Sequence, residues 1–509
     1  MSGHKLGSLF TFNLVRPLWI PAFSLLLVLL PLPFGTNRPW SSDLFAVLCG
    51  ALLAAMLWTE RQQDLFTGNL PVKRIWTSTI LISIVIVWSF LQIVPWTPTS
   101  WHHPIWQEAS ALLGKVGGSI SIDPGVFPET LVRFVSYIVC FILALAIGRD
   151  THHARHLVKA LAFAGFGYAL YGILAQSAGS DTILWYKKWA YQGFLTSTFV
   201  NKNSYALYAG LGFLCCCAFL FHHFKNFSHL DRVLAHQSKV AAILASLRLR
   251  DYFYLLFPVL FLAALAMTGS RAGIASTLIG AIAFLAAFAI NKKWQMHQWV
   301  SFIIIAAILF LSFVGMGGDA LLLRVDSQAI NDDTAMRMAA YDLSVQAIQD
   351  NPWLGFGLGT FNTAFKLYRD ESLPIWFHHA HNDYLEMIMD LGLPVALCLF
   401  AAIALMVSCA VTGILHRRRD GIYPALAIGA SVMVGIHSCV DFSLHIPAIA
   451  ATYAAILGRG VAQSCSSKVT AEISSKWKET GSSAHKTAAI KAKGKSSRST
   501  PKKDKGKTA

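Results

Sequence analysis

The feature that most restricts this chain is the recurrence of apolar blocks, all but the last 15 to 24 residues long. Helices of that length reach across the roughly 30 Å hydrocarbon core of a bilayer. Only 13% of the residues are charged and 55% are hydrophobic, whereas a soluble domain needs about 25% charge to cover its surface. Soluble, fibrous and disulfide-scaffold classes are therefore excluded. A length of 509 residues would otherwise divide into several soluble domains; here it corresponds to about twelve crossings.

The expected spans are 17–34, 41–58, 75–94, 131–147, 157–176 and 204–224, then 252–267, 273–290, 299–316, 391–414, 422–440 and a short one at 446–457. Met1–Arg16 and the block after it read as a retained first span rather than a cleaved signal. With the N-terminus inside, 31 of the 42 Lys/Arg fall on cytoplasmic segments. The clusters include Arg149/Arg155/Lys159, Lys225 through Arg250 and Arg417-Arg418-Arg419. Cytoplasmic loops carry such an excess, so twelve spans with both ends inside are expected. The fold class is an all-α polytopic membrane protein, with a large helical loop outside the membrane between spans nine and ten.

Residues 1–458 form the membrane domain on this reading, and 459–509 a basic disordered tail with thirteen Lys/Arg against three acids. The tail has almost no apolar content. It could lie on anionic lipid headgroups or simply be solvated. Nucleic acid is not an expected partner, because no aromatic residue beyond Trp477 interleaves with the lysines. The nine cysteines fall inside apolar blocks or, for Cys465, in the tail, and read as small buried hydrophobes.

Three longer segments then face the exported side: 95–130, 177–203 and the 74-residue segment 317–390. A long polar insertion between spans usually carries function. In the last of these, Asn331-Asp332-Asp333-Thr334 offers a helix start, with the helix running to about Gln349 ahead of Pro352. A second helix is expected from about His381 into the tenth span. Between them, Gly355-Phe356-Gly357-Leu358-Gly359 reads as a turn that re-aims the chain, since no buried strand precedes it as a phosphate loop would require.

The unusual polar residues collect on that same face. Asn201, Lys202 and Asn203 stand at the mouth of span six, and Ser270 and Arg271 in a five-residue link between spans seven and eight. An arginine at such a boundary is either a snorkelling anchor or part of a binding site. Arg337 and the group His378, His379 and His381 lie in the large loop. A histidine can act as a base if one ring nitrogen meets an acceptor hydroxyl, and Asp383 and Glu386 are candidate orienters. No zinc-protease spacing is present, so no metal ligands are assigned. Asp441 and His445 flank a short turn and are either a polar cap on the final hairpin or part of a site.

Five segments in order, TFVNKNSYALYAGLG, TGSRAG, NPWLGFGLGTF, HAHNDYLEMIMDLGLP and DFSLHIPA, resemble the bacterial O-antigen ligase and Wzy-type polymerase superfamily. PLPFGTNRPW and SIDP near the start resemble an exopolysaccharide-associated branch. The family carries a histidine followed by Asn, Ser or Gln, then nine residues and Gly-x-x-Gly. Here His381-Asn382 and Gly392 fit, while Val395 replaces the second glycine. The family's Arg-x-x-x-Leu pattern is met literally at neither Arg271 nor Arg337, which are followed by Ala275 and Tyr341.

The resemblance implies that His381 is catalytic and that Arg271 and Arg337 contact the diphosphate of an undecaprenyl-diphosphate-linked glycan. Asn201, Asn203, Ser270, His379, Asn382, Asp383, Glu386, Asp441 and His445 would support them. The acceptor would be lipid A-core for a ligase, or a growing polysaccharide for a polymerase, with protein as a third choice. No cofactor is implied. The loop Gly35–Trp40 lacks the carboxylate that related metal-dependent enzymes use there, which favours a metal-independent reaction at the periplasmic face of the bacterial inner membrane. A transporter is the competing class, but there is no internal repeat and few charges lie within the spans.

Overall fold

The computed structural model describes residues 6–60, 72–224, 248–291, 327–371, 373–416 and 421–464. The apolar blocks become helices, because within lipid every backbone polar group must be paired inside its own segment. These helices are α1 (Leu6–Leu29), α2 (Pro39–Glu60), α3 (Val72–Ile93), α5 (Phe127–Ile147), α6 (Thr151–Ser177), α7 (Lys202–Phe224), α8 (Leu249–Thr268), α9 (Arg271–Asn291), α13 (Leu393–His416), α14 (Ile422–His437) and α15 (Pro447–Ala462). Eight helices among the described residues are long and apolar enough to cross a membrane, with Leu18–Leu29 and Ile422–His437 as shorter apolar stretches. The chain is a multi-pass, all-α membrane protein. The ninth expected span, 299–316, lies outside the described residues, as do the first part of the large loop and all of the tail from 465.

The bundle interior is one large apolar cluster, in which α9 packs along α14, α15 along α5, and α6 along α7. Helix α15 is buried over nearly its whole length. It runs beyond Leu457, so Arg459 is not the first tail residue but lies inside the helix, 3.8 Å above the Tyr423 ring. That contact is how a buried guanidinium is accommodated. Of the cysteines, Cys439 departs from expectation by being exposed, in the turn after α14.

A second, smaller core sits at one end of the bundle and carries the polar elements. Here α4 (Ile105–Leu113), α10 (Ser327–Asp350), the one-turn α11 (Phe361–Ala364) and α12 (Asp383–Leu391) gather around Ile122, Phe356, Phe361, Phe365, Phe377 and Met389. A two-residue hairpin, β1 (Thr182–Ile183) with β2 (Tyr186–Lys187), belongs to the loop before α7. Two boundaries differ from the sequence reading. Helix α10 already begins at Ser327, placing Asn331–Thr334 inside it, because Asn and Asp cost only tenths of a kcal/mol in a helix interior. And α12 does not continue into the next span: Gly392, with φ +77°, ends it.

The glycine loop is a structural turn. Gln92 of α3 donates to the Leu354 and Asp390 carbonyls and accepts from the Leu358 N–H. The Phe356 and Gly357 N–H groups go to the Met389 and Asp390 carbonyls, and the Gly359 N–H to the Asp390 carboxylate at 2.6 Å. With its amides spent in this way the loop has no cradle left for phosphate; instead it clamps α12 onto α3.

Candidate active site

The site grows from the start of α12. Asn382 caps that helix, its side chain accepting from the Tyr384 and Leu385 N–H groups at 3.0 and 3.2 Å. This is what an Asn at the N-cap does, so Asn382 acts by fixing the residue before it. That residue, His381, has φ +52°, a left-handed conformation that non-glycine residues rarely adopt and that is held where the surroundings demand it. Tyr341 of α10 donates to the His381 carbonyl at 2.9 Å. The Asp383 N–H, on the other side, binds the Ser438 carbonyl at 2.9 Å.

That turn sends His381 away from its own helix and toward the loop after α14, where its Nδ1 lies 3.5 Å from Oδ1 of Asp441. Asp441 is fully buried. Burial would raise its pKa, but the rings of His381 and His437 and the Phe442 N–H outweigh this and hold the carboxyl below its ordinary value. Asp441, not Asp383 or Glu386, is therefore the acid beside His381. Phe377 and Phe442 both meet the imidazole edge-on, at 5.5 and 4.8 Å between centroids.

Glu386 serves His379 instead. Its Oε1 is 2.8 Å from His379 Nδ1, and its Oε2 accepts from the Ala380 N–H at 2.9 Å. His445 approaches the same Oε1 at 3.4 Å and Asp383 at 3.5 Å. Burial of Glu386 opposes its charge, yet His445, His379 and the Ala380 N–H together hold the carboxyl at about 2. Burial pushes the His445 imidazole down to about 4, against the pull of Glu386. Asp383 goes the other way. Burial and the charges of Glu386 and Asp441 push its pKa well above the ordinary value, while Ser438 donates to it at 2.7 Å. Glu386 and Asp441 are thus pushed toward the charged form and Asp383 toward the protonated one, the divergence that acid–base sites use. His379, Glu386 and His445 also offer three donor atoms within 4.8 Å of one another, enough to hold a metal ion.

Among the arginines, Arg337 of α10 reaches the loop, donating to the Val440 carbonyl at 2.9 Å next to Asp441. Arg271, the first residue of α9, is exposed and makes no hydrogen bond or ion pair with any described residue. Ser270 and Asn201 are buried caps, accepting from the Gly273 N–H at 3.2 Å and the Asn203 N–H at 2.8 Å. Asn203 is buried one residue into α7. Ser204, next along α7, meets Ser443 at 3.5 Å, which ties the mouth of α7 to the Asp441 loop. His378 is exposed and turned aside onto Trp376. The sequence reading missed Tyr341, Phe442, Ser438 and His437. Of these only His437, four residues before Asp441 on a helical spacing, carried a signal.

Residues 256–400 match the family described as O-antigen ligase. That region is similar to the O-antigen ligase family. It holds Arg271, Arg337, His379, His381 and Glu386, whereas Asp441 and His445 lie beyond the match. No curated protein matches the chain. Proteins of that family are membrane enzymes of the glycan-transferase kind, and the match supports the same general class for this chain. The matched region supplies His379, His381 and both arginines, and the last hairpin supplies His445 and the acid that His381 faces.

Proposed function

We propose that the chain transfers a glycan from an undecaprenyl-diphosphate-linked donor to a hydroxyl of lipid A-core, at the periplasmic face of the bacterial inner membrane. Twelve spans with both ends cytoplasmic would place the site there. The observation that carries the reading is His381, held left-handed and facing buried Asp441, with Arg337 bound to the adjacent carbonyl.

Asp441 beside Nδ1 favours the tautomer that leaves Nε2 of His381 as the acceptor. Nε2 takes the proton as the acceptor oxygen bonds to the anomeric carbon. The bond from that carbon to the phosphate oxygen breaks, and undecaprenyl diphosphate leaves with the electron pair. Arg271 and Arg337 hold the growing negative charge through paired N–H donors. The step is written without a metal, and the activated donor supplies its driving force.

A polymerase is the second reading, because Val395 in place of the family's second glycine loosens the ligase assignment. It would use the same donor chemistry with a lipid-linked glycan as acceptor. The test is purified protein in nanodiscs with labelled undecaprenyl-diphosphate glycan and chelator, with or without lipid A-core, comparing wild type and His381→Ala. Label on lipid A-core establishes a ligase; longer lipid-linked chains without it establish a polymerase. Wild type indistinguishable from His381→Ala across matched donors would sink both.

A further inference from the structure

At the opposite end of the bundle from His381, α6 begins with a basic stripe. His152, Arg155, His156 and Lys159 recur at the spacing that puts side chains on one helix face. Helix α7 starts near the catalytic loop at Lys202 and ends about 30 Å away. There Phe219, His222 and His223 face the stripe. Between the two helices lies a cavity of about 320 Å³ lined by these side chains, at the lower end of the roughly 300–1,000 Å³ typical of ligand sites.

Among the described residues the lining contains two permanent cations and no carboxylate. Two described acids close in sequence or in contact with the lining are already engaged. Asp150 caps α6 through the His152 and His153 N–H groups at 2.7 and 3.1 Å, and Asp251 is 2.7 Å from His223 Nε2. His152 and His156 bring their Nε2 atoms to 3.3 Å. A metal cation could use that pair, but Arg155 and Lys159 would repel it. An anion satisfies all four groups of the stripe.

From this geometry we infer that the cleft is a binding site for the phosphate of an anionic phospholipid headgroup in the cytoplasmic leaflet. A lipid fits better than a free anion because the cleft opens between two apolar helices. Next to the stripe, Lys159 stands 5.4 Å above the Phe163 ring, which packs edge-on against the cavity-lining Phe219 at 5.8 Å. Such basic clefts between spans on the cytoplasmic side suit anionic headgroups. The assignment does not depend on which glycan is transferred.

The experiment uses the full chain in phosphatidylcholine nanodiscs with increasing phosphatidylglycerol, counting lipid retained on delipidation by native mass spectrometry. Wild type is expected to retain phosphatidylglycerol selectively. Arg155→Gln/Lys159→Gln should lose that retention by roughly 25-fold, about fivefold per charge, while the swap Arg155→Lys/Lys159→Arg keeps it. Arg417→Gln/Arg418→Gln, altering a basic cluster elsewhere, should retain it fully. Thermal midpoints in pure phosphatidylcholine show that the variants are folded; if the double variant is not, Lys159→Gln alone should show the fivefold loss. Equal loss in the Arg417/Arg418 variant, undiminished retention in the cleft variants, displacement by millimolar inorganic phosphate, or retention that requires zinc would each overturn the assignment.

Discussion

Nδ1 of His379 and Nε2 of His445 converge on one oxygen of Glu386, at 2.8 and 3.4 Å. This three-centre contact has a pH signature. Glu386 is held at about 2 in the folded protein, below its unfolded value of about 4.3. Its contribution to stability is therefore complete above the unfolded value and lost as pH falls through about 2. His445 is pushed down to about 4 from an ordinary 6.5. The unfolded chain binds its proton first, so stability rises with pH between those two values. The thermal midpoint in detergent should fall as pH goes from 7 to 4. Replacing His445 with Asn should flatten that limb, and an unchanged slope in His445→Asn would refute the assignment.

His381 and Asp441 should separate in a rate measurement. Removing a general base costs roughly 10²–10⁴-fold, so His381→Ala should lose nearly all transfer. Asp441→Asn keeps the shape but loses the charge that sets the tautomer, and should be slowed by at least about 10-fold while keeping its affinity for donor. His379→Ala should leave more activity than His381→Ala, because its ring is bound to Glu386 and stacked on Phe442 at 4.4 Å. The reverse order would move the catalytic role to His379.

The two arginines differ in a way that thermal stability can read. Arg337 donates to the Val440 carbonyl, whereas Arg271 makes no polar contact within the described protein. Losing a charge-assisted hydrogen bond to the donor costs about 1.5–3 kcal/mol, or roughly 10–100-fold in kcat/KM. Arg271→Ala should show that loss with an unchanged melting temperature. Arg337→Ala should lose both activity and stability, and Arg337→Lys should recover only part of the activity, having charge without the planar fork. A melting temperature that drops in Arg271→Ala would make it a structural anchor instead.

How much of this was legible in the sequence depends on the distance each contact spans. Apolar blocks identify their helices because length and composition are local properties. His381, Glu386 and the arginines could be singled out as polar residues at one face. The pairing of His381 with Asp441 could not be read, because 60 positions and three helices separate them and Asp383 and Glu386 stand closer in sequence. What decides it is the left-handed turn at His381, which neither hydrophobic pattern nor propensity encodes. Asp390 was hidden for a similar reason: its carboxylate caps a loop 31 residues earlier.

The glycine loop gives a stability test with an internal control. A Cβ at Gly355 would lie 2.4 Å from the Gly392 nitrogen and 2.5 Å from the Asp390 carbonyl oxygen, at φ +70°. Backbone on both sides cannot yield without moving α12. Gly193 has φ +77° but open space around it, so only the conformational penalty of about 1 kcal/mol applies. Gly355→Ala should therefore express poorly or melt many degrees lower, while Gly193→Ala should be nearly normal by thermal shift. Similar midpoints in the two would mean that the loop does not clamp α12 to α3.

Zinc provides the last test, because the three atoms that bind one proton network could also bind one ion. His379, Glu386 and His445 supply two nitrogens and an oxygen, the ligand types zinc prefers with a fourth position open. Binding would take His379 off its hydrogen bond to Glu386 and pull Phe442, which stacks on it, away from the edge of His381. Transfer should proceed in the presence of chelator, fall when zinc is added, and return when the zinc is removed. His445→Ala deletes one of the three ligands, so its inhibition should need at least about 10-fold more zinc. Equal sensitivity in His445→Ala and wild type would place the inhibitory ion elsewhere, and loss of transfer on chelation alone would show that the reaction needs a metal after all.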